Sequence, residues 1–304
     1  MERVMKIRKE NDSPICTVLG VGEDSVGNVC VVMERMTGDL RTCIDSRMRY
    51  LEDGQMPFDS NQTISMMMDI AQGMEDLHRC DLIHADLKAS NILVYPVLME
   101  REGEKLDGSQ EAALSVIFQA KIGDFDTSDG VVGTRFWRAP EVLQAVRNGV
   151  KPILSPAADV YSYGMLCYEL LTGLIPFEEC AQSDYDVVLS GRRPELPAYV
   201  NPRMKELLSA CWRSEPRERP GWTWIIETLK EELMLHPLFA SKLVGQISVQ
   251  NCMLAEIYPK IHKAPLESTT MESIKAWKAV EMEKVAIRNL FLENTIDISA
   301  HGYL

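Results

Sequence analysis

The chain has 304 residues, 46% of them hydrophobic and 25% charged, with 18 Gly and 15 Pro, ordinary globular usage that excludes collagen, a coiled coil and a disordered chain. Lys and Arg together number 32 against 45 acids, a net charge of −13, which disfavours non-specific binding to nucleic-acid phosphates or anionic lipid. The eight cysteines include no C-x-x-C pair and no Cys/His spacing suited to zinc, so reduced thiols in the cytosol or nucleus are expected.

The first ten residues are charged throughout and lack the apolar core of a signal peptide. Residues 15–21 and 29–34 are short β-rich runs around a Gly/Glu/Asp/Ser/Asn cluster, which predicts an antiparallel strand pair. Asp59 and Ser60 offer N-caps to a segment in which Ile64, Met67, Ala71, Met74 and Leu77 recur at helical spacing, a helix of about five turns. Its methionines read as core filler.

Farther on, residues 82–83, 92–94 and 121–123 are candidate small strands. A polar run over 100–111 reads as a solvated loop leading to a candidate short helix. Beyond Pro140 the pattern turns helical over 157–172, closed by Gly173, then over 202–212 and over 222–235, ended by Pro237. Residues 160–177 are apolar enough to resemble a membrane span, but Glu169, Gly164, Gly173 and Pro176 point to a buried helix. A last helix is expected over 270–292.

Three clusters carry the chemistry: His84-Ala85-Asp86-Leu87-Lys88-Ala89-Ser90-Asn91, then Gly123-Asp124-Phe125-Asp126, then Gly133-Thr134-Arg135-Phe136-Trp137-Arg138-Ala139-Pro140-Glu141. In order and content they resemble the H-R-D-L-x-x-x-N, D-F-G and A-P-E motifs of eukaryotic protein kinases. Asp159-Val160-Tyr161-Ser162-Tyr163-Gly164 looks like the central helix of the larger kinase lobe, and Cys211-Trp212 with Pro216, Arg219 and Pro220 resembles the tyrosine-kinase-like serine/threonine group. The resemblance implies an α+β, two-lobed fold with a truncated β small lobe and a mainly helical large lobe. The expected domains are small lobe and hinge 1–36, large lobe 37–236 with an insert at about 96–118, and a helical C-terminal extension 237–304.

By the same resemblance, Asp86 takes or orients the proton of a substrate hydroxyl, Lys88 sits by the γ-phosphate of ATP, and Asn91 and Asp124 hold Mg²⁺. Thr134 braces Asp86 and Lys88. Glu141 pairs with Arg219, and His84 and Asp159 are structural. Met33, Glu34 and Met36 resemble the hinge that bonds adenine, with Leu93 beneath the ring; from composition alone Met33, Met36 and Leu93 are equally ordinary core.

Departures from the family pattern leave two readings open. No Gly-rich loop or V-A-I-K lysine precedes residue 15, and Glu2 matches the family's helix glutamate only loosely. Ala85 replaces the arginine of H-R-D, the usual dock for a phosphorylated activation segment. Asp126 replaces the glycine of D-F-G, giving either an extra outer-shell ligand or a displaced Asp124. The chain is therefore expected to be a cytoplasmic signalling protein acting on a protein substrate, weak or inactive as a catalyst by itself, or a pseudokinase that docks a partner. Glu272, Trp277, Val280, Glu283, Lys284, Ile287, Leu290 and Phe291 form an amphipathic face, for the small lobe, the rest of the kinase lobe or another protein.

Overall fold

Strands β1 (Val18–Glu23) and β2 (Val29–Met33) pair antiparallel, in register from Val18↔Met33 to Glu23↔Val29 with an irregularity between Val18 and Gly20. The structure is a computed structural model, and it describes residues 14–23, 29–52, 54–100, 114–124, 133–181 and 184–235. The expectations for Glu2, Asp126 and the 270–292 helix lie outside those residues.

Val31 and Val32 point to opposite faces of β2, yet each is 53% exposed. Both faces of this ribbon therefore lack cover among the described residues, the condition in which a lone hairpin is only marginally stable. After the linker 34–37 come β3 (Gly38–Asp39) and α1 (Leu40–Met48), capped by the Asp39 carboxylate on Thr42 N at 2.9 Å.

Helix α2 (Ser60–Arg79) begins where expected: Asp59 accepts from Gln62 N at 2.8 Å, and Ile64, Met67, Ile70, Ala71, Met74 and Leu77 are buried along one face. No strand forms at 82–83. That segment instead holds the turn into His84, with Asp81 in the left-handed region at φ 57°.

Strand pairing extends into the expected 96–118 insert from both sides. Strands β4 (Ile92–Glu100) and β5 (Leu114–Ile122) pair over nine positions, from Ile92↔Ile122 to Glu100↔Leu114. The candidate short helix after the insert is strand β5. The sheet order is β3-β4-β5.

Pairing geometry decides how β5 is held. The Gln62 carboxamide donates to Phe118 O at 2.8 Å and accepts from Phe118 N at 2.7 Å, and Asp69 accepts from Ala120 N at 3.2 Å. Ile122 donates to Pro14 O and accepts from Cys16 N, both at 2.8 Å. Alternate β5 residues thus turn their backbone groups away from β4 and find partners on α2 and the N-terminal segment. Because Phe118 faces away from its partner Pro96, Pro96 also faces outward, beyond the two-residue pairing with β3, where a proline's missing N–H breaks no ladder bond.

The remaining elements are helical: α3 (Pro140–Arg147), α4 (Pro156–Thr172), the single turn α5 (Asp186–Leu189), α6 (Pro202–Cys211) and α7 (Trp222–Met234). Helix α4 is capped by Ser155, has Pro156 in its first turn and ends at Gly173 with φ 75°. It is buried almost all round, as the centre of a helical layer must be. Gly164 is required there, because a Cβ would stand 2.6 Å from Trp212 Nε1. No helix among the described residues is long and apolar enough to cross a membrane.

Candidate active site

The loop after α2 is shaped from below by one buried carboxylate. Asp159, in the first turn of α4 and fully buried, accepts from His84 N and Ala85 N at 2.9 Å each and contacts His78 Nε2 at 2.8 Å. These contacts hold Ala85 in the left-handed region at φ 67°, a conformation that costs an alanine about 1–2 kcal/mol and needs such restraint. The His84 ring accepts from Asp86 N through Nδ1 at 3.3 Å and so donates from Nε2 to Gly123 O at 3.1 Å. Burial pushes His84 below its ordinary pKa despite the nearby Asp159, and the two ring hydrogen bonds select this tautomer.

With its backbone so placed, the Asp86 carboxylate collects donors from three directions. Thr134 Oγ1 donates to Oδ1 at 2.6 Å, while Lys88 Nζ at 2.9 Å and Asn91 Nδ2 at 3.1 Å reach Oδ2. Lys88 also donates to Thr134 Oγ1 at 2.6 Å, and Asn91 Nδ2 donates to Asp86 O at 2.7 Å. Thr134 thus contacts both Asp86 and Lys88. A carboxylate beside an ammonium, both partly open to solvent, can accept a proton on one side and offer positive charge to an anion on the other.

Asp124 is drawn to the same loop through its neighbour. Gly123 N donates to Asn91 O at 3.0 Å, and a Cβ at Gly123 would stand 2.9 Å from the Leu93 side chain. Asp124 itself is exposed, with φ 48°. The Asn91 amide nitrogen is engaged by Asp86, and its Oδ1 accepts no hydrogen bond among the described residues. That oxygen and the Asp124 carboxylate are hard donors of the kind Mg²⁺ takes, so the residues present fit the ion.

Along the linker, Glu34 N donates to Thr17 O at 2.9 Å, and the Glu34 carboxylate accepts from Thr17 N and Lys121 Nζ at 2.7 Å each. Burial pushes this acid up, but the Lys121 and Thr17 partners outweigh it and leave it below its ordinary pKa. Thr37 N is bonded to Val94 O at 3.1 Å, whereas the backbone of Met36 has no hydrogen-bond partner among the described residues. Met33 is 39% exposed, and Met36 and Leu93 are partly exposed, so none is sealed in a core.

Two buried ionic clusters lie at longer range. Arg219, with no side-chain exposure, forks onto Glu141 at 2.8 and 2.7 Å and also donates to three backbone carbonyls. Sequence reasoning missed Glu169, which accepts from Ala89 N at 3.1 Å, Trp137 Nε1 at 2.8 Å and Arg41 Nη1 at 3.2 Å, tying the Asp86 loop to the 133–141 segment. Its signal was an acid inside the most apolar helix of the chain. Burial pushes it up to about 7, against the lowering pull of those partners.

The model of the protein tyrosine and serine/threonine kinase family matches residues 1–229. A light-sensor protein kinase of Ceratodon purpureus is 34% identical over 224 residues, covering 66% of this chain and 16% of that protein. The serine/threonine-protein kinase STY46 of Arabidopsis thaliana is 34% identical over 206 residues, 67% of this chain and 32% of its own length. The serine/threonine/tyrosine-protein kinase HT1 of the same plant is 29% identical over 214 residues, 66% of this chain and 47% of its own. The chain thus spans less than half the length of each of these relatives.

Proposed function

The chain belongs to the protein tyrosine and serine/threonine kinase family, and from that premise we propose that it is a signalling protein that transfers a phosphoryl group from ATP to serine or threonine hydroxyls of a protein substrate in the cytoplasm. The observation that carries this reading is the convergence of Lys88, Asn91 and Thr134 on the two oxygens of Asp86. Asp86 accepts the hydroxyl proton as the oxygen attacks, and Lys88 balances charge on the transferred group. Thr134 and Asn91 hold the carboxylate in one orientation, which favours an in-line approach. Asn91 and Asp124 would hold Mg²⁺, which neutralises phosphate charge when bound. Adenine would take the free backbone groups of the linker at Met36 and the carbonyl of Glu34, above Leu93.

A second reading, a docking module without catalysis, is favoured by a specific observation: the exposed apolar residues on both faces of β1–β2. One experiment separates the two. Thermal unfolding with and without ATP and Mg²⁺ at about 1 mM should show a raised Tm if nucleotide binds. Phosphate transfer to a basic protein should then vanish in Asp86→Asn. No shift in Tm with ATP and Mg²⁺ favours the docking module.

A further inference from the structure

Ala85 offers no cation to the segment that must lie against it, yet that segment is in place. A Cβ on Gly133 would stand 2.6 Å from Ala85 O and 3.4 Å from Arg138 Cγ, so the glycine is sandwiched between the catalytic loop and the stem of Arg138. Its φ of 75° is one that glycine adopts freely. On the same glycine, Arg138 Nε and Nη2 donate to Gly133 O at 2.9 and 2.5 Å. The next residue is Thr134, whose hydroxyl reaches Asp86. Downstream, Trp137 is fixed by Glu169 and by Ser162 Oγ donating to Trp137 O at 2.8 Å, so the Arg138 side chain projects from an anchored base.

We propose that Arg138 is a positioning residue: its guanidinium holds Gly133 O within the same segment and so fixes the turn in the shape that lays Gly133 against Ala85 O and brings Thr134 to Asp86, without a phosphate on the segment. The inference rests on the kinase reading for its consequence in catalysis, while the docking itself is independent of that reading. These charge-assisted bonds join two residues of one segment and so fix its shape permanently, whereas a phosphate would tie the segment conditionally to a cation on the catalytic loop.

Hydrogen exchange of the full chain tests the docking directly. In Arg138→Met, exchange of peptides covering 84–91 and 133–138 should rise about tenfold, while Arg138→Lys, which keeps a donor, should stay nearer the parent protein. Unchanged protection in Arg138→Met overturns the proposal, as does an equal rise in all peptides, the mark of global loosening. In transfer assays, Arg138→Met should lower kcat with little change in the KM for ATP, and Arg138→Met with Thr134→Ala should lose no more than Thr134→Ala alone; additive losses would show that Arg138 does not act through Thr134. Phosphatase treatment should leave the rate unchanged, and a fall of about tenfold would refute phosphate-independent docking. If exchange responds but ATP and Mg²⁺ give no Tm shift, the kinase reading fails and the docking stands.

Discussion

Asp159 shows how much can depend on one buried carboxylate. Each of its oxygens faces N–H donors, so an amide in its place would turn an NH₂ group toward at least one of them. Asp159→Asn should therefore destabilise the chain by about 3 kcal/mol, read as a lower urea midpoint at unchanged m-value. The catalytic loop should also lose its amide protection at 84–85. The position was legible in the sequence through its resemblance to the start of a kinase central helix, but its partners were not. Nothing in the spacing between 84 and 159 says which amides a carboxylate will meet. Gly133 and Arg138 were quoted only as letters of a motif; their relation appears once the glycine is seen pressed between a carbonyl and an arginine stem.

Among the elements, the β4–β5 hairpin departs most from expectation. Its charged turn region and Pro96 made the strands look three residues long, although Val116, Ile117 and Phe118 are strong strand formers. Period-two geometry explains why the strands persist. Every outward-facing β5 residue from Phe118 to Ile122 finds a partner, and Pro96 falls where no donor is needed. The sharpest test is Gln62, a buried side chain that serves both backbone groups of Phe118. Gln62→Ala should cost about 2 kcal/mol in chemical denaturation, because it leaves a donor and an acceptor unmatched. Helix α2, by contrast, was readable in full: its cap and its apolar face lie close together in the chain, and the structure keeps both.

For the whole molecule, two internal acids predict the pH dependence of stability. Asp69 and Glu169 are each pushed up to about 7, by burial above all. An acid with a raised folded-state pKa binds more protons folded than unfolded between about 4 and about 7, so stability falls as pH rises through that window and levels off above it. Thermal scans should accordingly show Tm declining from about pH 5 to about pH 8. Asp69→Asn can still accept from Ala120 N but cannot ionise, so it should match the parent protein near pH 4 and exceed it by roughly 3–4 kcal/mol near pH 8. Equal stability of the two proteins at pH 8 would show that Asp69 carries no burial penalty.

The sequence by itself determined the family, the order of the motifs, the capped helices and the identity of the candidate site residues, because motif spacing, caps and hydrophobic period are local properties that survive without coordinates. Tertiary structure alone decided that β5 is held by Gln62 and Asp69, that Glu169 links two segments of the site, and that Arg138 stands over Gly133. Those are contacts between residues far apart in the chain or turned toward one another by backbone geometry, and their energies depend on distances and burial that one-dimensional order does not contain.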